Sequence, residues 1–187
     1  MTTSSGTVPD VSPSQVLSVS PSLPTNKLLD NLTKNQRLLQ LLPQNYEKRQ
    51  YFNNLFQTLL DDFFYSHERP DVQLYAAICL ADIIRIWAPN LPDAPPEKKL
   101  NMFLFLARQL LALKKIDDPL FSRRYYLLEN LSMVQSFIPA VNLEDNRGCQ
   151  ISTLVFNNLF NALQYVIRFL SIQIILCFSI GKIIRIN

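Results

Sequence analysis

Chemistry in a protein needs particular side chains held close together, and this chain spaces its reactive residues poorly for that purpose. Its one histidine, His67, stands in the polar run Ser66-His67-Glu68-Arg69-Pro70, with no serine or cysteine in a recognisable nucleophile elbow to activate. A lone imidazole in such a break serves as a surface or capping group. The carboxylate pairs Asp61-Asp62, Asp117-Asp118 and Glu144-Asp145 could in principle hold a cation, yet none has the spacing of a calcium loop. Acids at helix ends and in loops ordinarily cap and solvate. The chain has three isolated glycines, which leaves no P-loop or dinucleotide fingerprint. Cys79, Cys149 and Cys177 are odd in number and far apart, so neither a disulfide framework nor zinc spacing is visible, and a reducing, intracellular setting is expected. No catalytic residue, metal ligand or cofactor is expected.

Charge adds a second exclusion. The formal net charge is +3, but residues 1–145 hold 14 basic against 15 acidic residues. The excess comes from Arg147, Arg168, Lys182 and Arg185, which follow the last acid, Asp145. No basic patch exists to grip a nucleic-acid backbone, so direct binding to nucleic acid is not expected.

The elements that must carry any binding surface are helical. Residues 1–25 contain 15 Ser, Thr or Pro residues and one charge, Asp10, a composition expected to be disordered. Ser12-Pro13 and Ser20-Pro21 fit proline-directed phosphorylation, and fit equally a solvated tail with two chance pairs. From Asn26, leucines among polar residues predict a helix or helix pair ending at Pro43. Phe52, Leu55, Phe56, Leu59, Leu60, Phe63 and Phe64 then make one amphipathic stripe over 47–65.

Asp71 follows a proline and is a plausible N-cap. The run from Val72 to Trp87 is apolar on nearly every face, which demands burial by protein or by membrane. Asp82 and Arg85, three residues apart on one face, argue for protein and for a structural pair. Ala88-Pro89 ends the helix, because the residue before proline is pushed out of the helical region. A further amphipathic helix covers 97–113, another is opened by Pro119 and runs to Ile138, and one more starts near Gln150. The breaks before Asp71 and Pro119 lie 48 residues apart, close to the period of HEAT or armadillo arrays, and Ala76 and Ala77 allow close helix approach. The sequons at Asn31 and Asn130 fall within these helices and are read as chance. The expected architecture is all-α, a HEAT-repeat solenoid of two to three helix pairs. Its parts are a disordered Ser/Thr/Pro-rich tail (1–25), the array (26–164) and a divergent hydrophobic tail (165–187).

Residues 74–89, Leu-Tyr-Ala-Ala-Ile-Cys-Leu-Ala-Asp-Ile-Ile-Arg-Ile-Trp-Ala-Pro, resemble a segment of the Precocious Dissociation of Sisters proteins, HEAT-repeat regulators of the cohesin ring. Phe103 to Leu110 and Tyr125 to Leu131 are similar to two further segments in the same order, followed by Leu143-Glu144-Asp145, and the likeness covers roughly residues 45–164. The resemblance implies a nuclear, non-catalytic protein of sister chromatid cohesion, chromosome segregation and DNA repair. Implied partners are the cohesin kleisin subunit, its contact expected beyond this chain's end, and a Wapl-type releasing factor, with chromatin engaged indirectly. It also implies that the loop Ala88, Pro89, Asn90, Leu91, Pro92 and Asp93 receives short partner peptides, with Trp87 beside it as an anchor. The loop departs from the family's form: Asn90 replaces an acid, Leu91 an alanine and Asp93 a tyrosine, and losing the acid weakens the match to a peptide arginine.

From about Tyr165 the likeness stops. Phe169 to Ile180 is 12 residues free of charge, short of the ~20 that a spanning helix needs. The tail is expected to come from a truncated, alternatively spliced or mispredicted transcript, with a membrane or interface anchor as the second reading. The alternative to a working regulator is a truncated product without full function or a partner-titrating form.

Overall fold

The structure, a computed structural model, describes residues 11–115 and 117–133, together with 153–154, 157–158 and 160–161. Helix α1 spans Thr25–Gln40 and buries Leu28, Leu32 and Leu39 along one stripe. The single helix expected over 47–65 is instead three pieces: a 3-10 turn at Arg49–Phe52, α2 at Asn53–Leu59 and α3 at Asp62–Tyr65. The break has a local cause. Asp61 accepts a hydrogen bond from the Phe63 N–H at 2.9 Å, capping α3 rather than continuing α2.

Helix α4, Pro70–Trp87, is the centre of the molecule, packing most extensively against α1 and next against α6. Ala76, Ala77, Ile78, Cys79, Leu80 and Ala81 are each 0% exposed, so it is buried by protein on nearly every side. Its start corrects one expectation. Arg69 is the N-cap and Pro70 the first helical residue, where a missing N–H costs nothing, so Asp71 stands in the first turn instead of at the cap. There Asp71 accepts from the Val72 N–H at 2.8 Å and pairs with Arg69 at 2.5 Å. No helix among the described residues is long and apolar enough to cross a membrane.

Helix α5 covers Pro96–Leu110 and passes into a 3-10 turn at Leu111–Lys114, close to the expected span. Helix α6 runs over Phe121–Met133, starting two residues after Pro119, and Asp118 braces the turn that leads into it. Asp118 accepts from the Leu120 N–H at 2.8 Å, and its other oxygen pairs with Arg124 at 2.7 Å. The expected extension of α6 to Ile138, the start near Gln150 and the tail at 165–187 lie outside or almost wholly outside the described residues. The Asn158 amide donates to the Ala107 carbonyl at 2.7 Å, which seats that residue on α5.

The expectation of disorder over 1–25 is corrected for residues 11–24, while residues 1–10 lie outside the described residues. This segment crosses α1 as a strap, with Val11 and Val19 buried and Val16 and Leu23 packed on the core. Composition hid this, because the hydrogen bonds that hold the strap come from asparagines on α1, not from its own residues.

Replacing Ile78 by alanine should cost about 2–5 kcal/mol, read as a fall in the urea midpoint with unchanged slope. The Arg69 guanidinium holds the Asp71 carboxyl below its ordinary 3.8, and the Leu120 amide acts likewise on Asp118. A carboxyl depressed on folding contributes stability that is present above its unfolded value and lost as pH falls through the folded one. Between about pH 5 and about pH 3, the wild type should therefore lose more stability in urea titrations than an Asp71→Asn, Asp118→Asn double variant.

Candidate peptide-docking site

The loop singled out by the sequence leaves the C-terminal end of α4. The Asn90 N–H donates to the Trp87 carbonyl at 3.1 Å, and the Ala88–Pro89 peptide bond is cis. The expected binding residues divide into two groups. Ala88 and Pro92 are buried and Leu91 packs against the core, so these three fasten the loop down. Pro89, Asn90 and Asp93 are exposed and form the part a partner can reach. A second tether comes from α2, where the Gln57 amide donates to the Asp93 carbonyl at 2.7 Å. Trp87 is half-buried, the Arg49 guanidinium lies 5.1 Å from its ring centroid, and its Nε1 has no hydrogen-bond partner. The loop thus presents a fixed shape beside an aromatic ring, the preorganisation that short-peptide capture needs.

One turn back, Asp82 and Arg85 form the expected structural pair, and they do more than pair. Arg85 donates to Asp82 Oδ1 through Nε at 3.3 Å and Nη2 at 3.1 Å. It also donates through Nη1 to the Leu42 carbonyl at 2.5 Å and through Nη2 to the Leu39 carbonyl at 2.9 Å. Those carbonyls lie at and just past the end of α1; the Leu39 carbonyl also accepts from the Leu42 N–H at 3.1 Å, and Arg85 adds a side-chain donor to each. The same Asp82 oxygen accepts from the Tyr126 hydroxyl at 2.9 Å and from the Asn130 amide at 2.8 Å, both on α6. One ion pair therefore clamps α1, α4 and α6. Burial pushes the Asp82 carboxyl up, while Arg85, Tyr126 and Asn130 pull it down. The Tyr126 hydroxyl is pushed up in turn, by burial and then by the Asp82 charge.

Tyr126 and Asn130 escaped the sequence reading. Their spacing of four puts both on one face of α6, which was the available signal, but nothing local names Asp82 as the target. The two sequon asparagines share this character: Asn31 and Asn130 are buried and hydrogen-bonded, Asn31 to the Ser18 carbonyl at 2.7 Å. His67 closes the turn before α4, its Nδ1 accepting from the Arg69 N–H at 3.0 Å. Among the described residues no group of three or more His, Cys, Asp or Glu side chains could hold a metal ion.

Asp82→Ala should cost about 3–5 kcal/mol, because it strands the half-buried Arg85 charge. Tyr126→Phe should cost about 1 kcal/mol. Lys34→Ala, which breaks an exposed pair with Asp30, should leave the urea midpoint unchanged. Equal losses for all three variants would sink the clamp.

Comparison with known proteins agrees with this architecture. The family described as "Sister chromatid cohesion protein PDS5 protein" matches residues 26–168. The Xenopus laevis sister chromatid cohesion protein PDS5 homolog B-A is 43% identical over 117 residues, which is 63% of this chain and 8% of that protein. The Homo sapiens homolog B is 42% identical over 110 residues, or 59% of this chain and 8% of that protein. The chain thus spans under a tenth of the length of these relatives. In three dimensions it is similar to a chain solved for "Structure of the Pds5-Scc1 complex and implications for cohesin function", with TM-score 0.67 at 21% identity, covering 75% of this chain and 21% of that one. That likeness concerns the fold and agrees with an all-α, HEAT-repeat solenoid. The match across the helical array, from α1 past the last described residue, places this chain in the PDS5 family of sister chromatid cohesion proteins.

Proposed function

We propose that this chain is a non-catalytic scaffold of cohesin regulation, acting in the nucleus in sister chromatid cohesion and chromosome segregation by docking short partner peptides on the loop after α4. The observation that carries the reading is the family match over residues 26–168, which spans both the loop and the clamp that orients it. The loop's geometry supports it. Pro89, Asn90 and Asp93 are exposed on a backbone held by Pro92 and Gln57, so binding would order little and most contact energy would remain as affinity. Trp87 supplies a half-buried aromatic ring beside that backbone.

The partner chemistry follows from the side chains. The exposed loop carries one carboxylate, Asp93, while the Arg49 guanidinium lies over the neighbouring Trp87 ring, so the site offers one charge of each sign. A Wapl-type releasing factor is the partner proposed for this loop. A kleisin contact is proposed for the family's whole protein rather than for this loop, and chromatin is reached through cohesin.

The chain of 1–187 and a Trp87→Ala, Pro89→Ala variant should be immobilised and exposed to nuclear extract, with Wapl and cohesin subunits read by immunoblot. Retention by the first and loss by the variant, both folded by circular dichroism, is the expected result. If both folded forms retain Wapl equally, the loop is not the site. If neither does, this chain lacks the proposed activity.

A further inference from the structure

Residues 11–24 lie ahead of the family match, which begins at residue 26, and form a strap over α1 and α2. Two valines pin it: Val11 is 2% exposed and Val19 is 4% exposed. Between them the backbone is gripped by amides. Asn35 Oδ1 accepts from the Leu17 N–H at 2.8 Å, and its Nδ2 donates back to the Leu17 carbonyl at 2.7 Å. Asn31 donates to the Ser18 carbonyl at 2.7 Å, and the Tyr46 hydroxyl accepts from the Val11 N–H at 3.3 Å. The strap does not seal against what it covers. A cavity of about 260 Å³ remains between it and Tyr51, Asn54, Leu55 and Thr58.

Each buried valine is followed at once by Ser-Pro, as Val11-Ser12-Pro13 and Val19-Ser20-Pro21, and these are the chain's two Ser-Pro pairs. Ser12 is exposed and extended, with φ −101 and ψ 154, the shape that a following proline favours. Its hydroxyl bonds that of Ser14 at 2.8 Å, and the Ser20 hydroxyl bonds that of Ser22 at 2.9 Å. Both contacts are local, so neither hydroxyl ties the strap to α1 or α2.

We propose that Ser12 and Ser20 are sites for a proline-directed kinase, and that phosphate on them releases the strap from α1 and α2. In the transfer, the serine Oγ forms a bond to the γ-phosphorus of ATP as the bond to the bridging oxygen breaks. ADP leaves, and the hydroxyl proton passes to the kinase. The product carries about −1.5 to −2 charge and must stay hydrated or meet a cation. Residues 11–24 contain no Lys or Arg, and every side chain lining the cavity or gripping the strap backbone is neutral. A phosphate beside Val11 or Val19 therefore remains in water and opposes burial of its neighbour. Held by Val11 and Val19, by the partly buried Val16 and Leu23 and by four neutral hydrogen bonds, the strap is less densely packed than α4 and can open while α4 stays packed.

The 1–187 protein should be incubated with a cyclin-dependent-class kinase and Mg-ATP, then mapped by mass spectrometry and by hydrogen exchange at Leu17 and Ile78. We expect phosphate on Ser12 and Ser20, and none on a Ser12→Ala, Ser20→Ala variant. Exchange at Leu17 should quicken at least about ten-fold, with Ile78 unchanged. Asn35→Ala, which loosens the strap without phosphate, should speed both Leu17 exchange and Ser20 modification. Refusal of phosphate by both the wild type and Asn35→Ala overturns the proposal. So does full modification with Leu17 exchange unaltered, or with protection of Ile78 lost as well.

Discussion

The packing of α1 and α6 on α4 hangs on the contact between Asp82 and Arg85. Apolar burial along α4 is generous but undirected: Ile78, Leu80 and Ile83 would be satisfied by many neighbours. The ion pair is directional. Arg85 meets two specific carbonyls at the end of α1, and Asp82 meets two specific donors on α6. A small rotation or a one-turn slide of either neighbour would leave buried polar groups unpaired, at a cost of about 1–3 kcal/mol each. The pair selects among packings that the hydrophobic effect leaves nearly equal. Its net contribution to stability is a separate matter, since bringing two charges out of water offsets much of their attraction.

That view gives the family-like segments a physical meaning. Asp82 and Arg85 stand in the first of them, Tyr126 and Asn130 in the third. What the sequence displays as separate runs is one hydrogen-bonded network in space. The second segment supplies Phe103, Phe105, Leu106 and Leu110, the apolar face of α5, all buried. The docking loop then inherits its aim from this frame. It leaves α4 three residues past Arg85, and Gln57 of α2 fastens its far end. A loop held at both ends has little conformational freedom left to lose on binding.

The strap obeys a different logic. Where α4 is held by dense packing and a buried charge pair, residues 11–24 are held by neutral amides, the Tyr46 hydroxyl, two buried valines and the partly buried Val16 and Leu23. Asn31 and Asn35 are spaced four apart on α1, so both reach the same stretch of extended backbone. This is a weak, polar attachment laid over a strong, apolar core.

The sequence by itself determined the helical class, the burial of α4, its end at Ala88-Pro89, the pairing of Asp82 with Arg85 and the family likeness. Each of these follows from periodicity, from proline's geometry or from residues near in the chain. Only the tertiary structure decided the rest. Asp61 breaks the expected 47–65 helix because its side chain caps locally. Asp71 yields the cap to Arg69 because Pro70 takes the first helical position. Asp82 finds Tyr126 and Asn130 some 44 and 48 positions away, and the polar N-terminal segment becomes ordered because α1 supplies its partners. Local patterns record what one helix needs for itself. Which side chain of another element will meet that need is set by how the helices pack, and that information is spread over the whole chain.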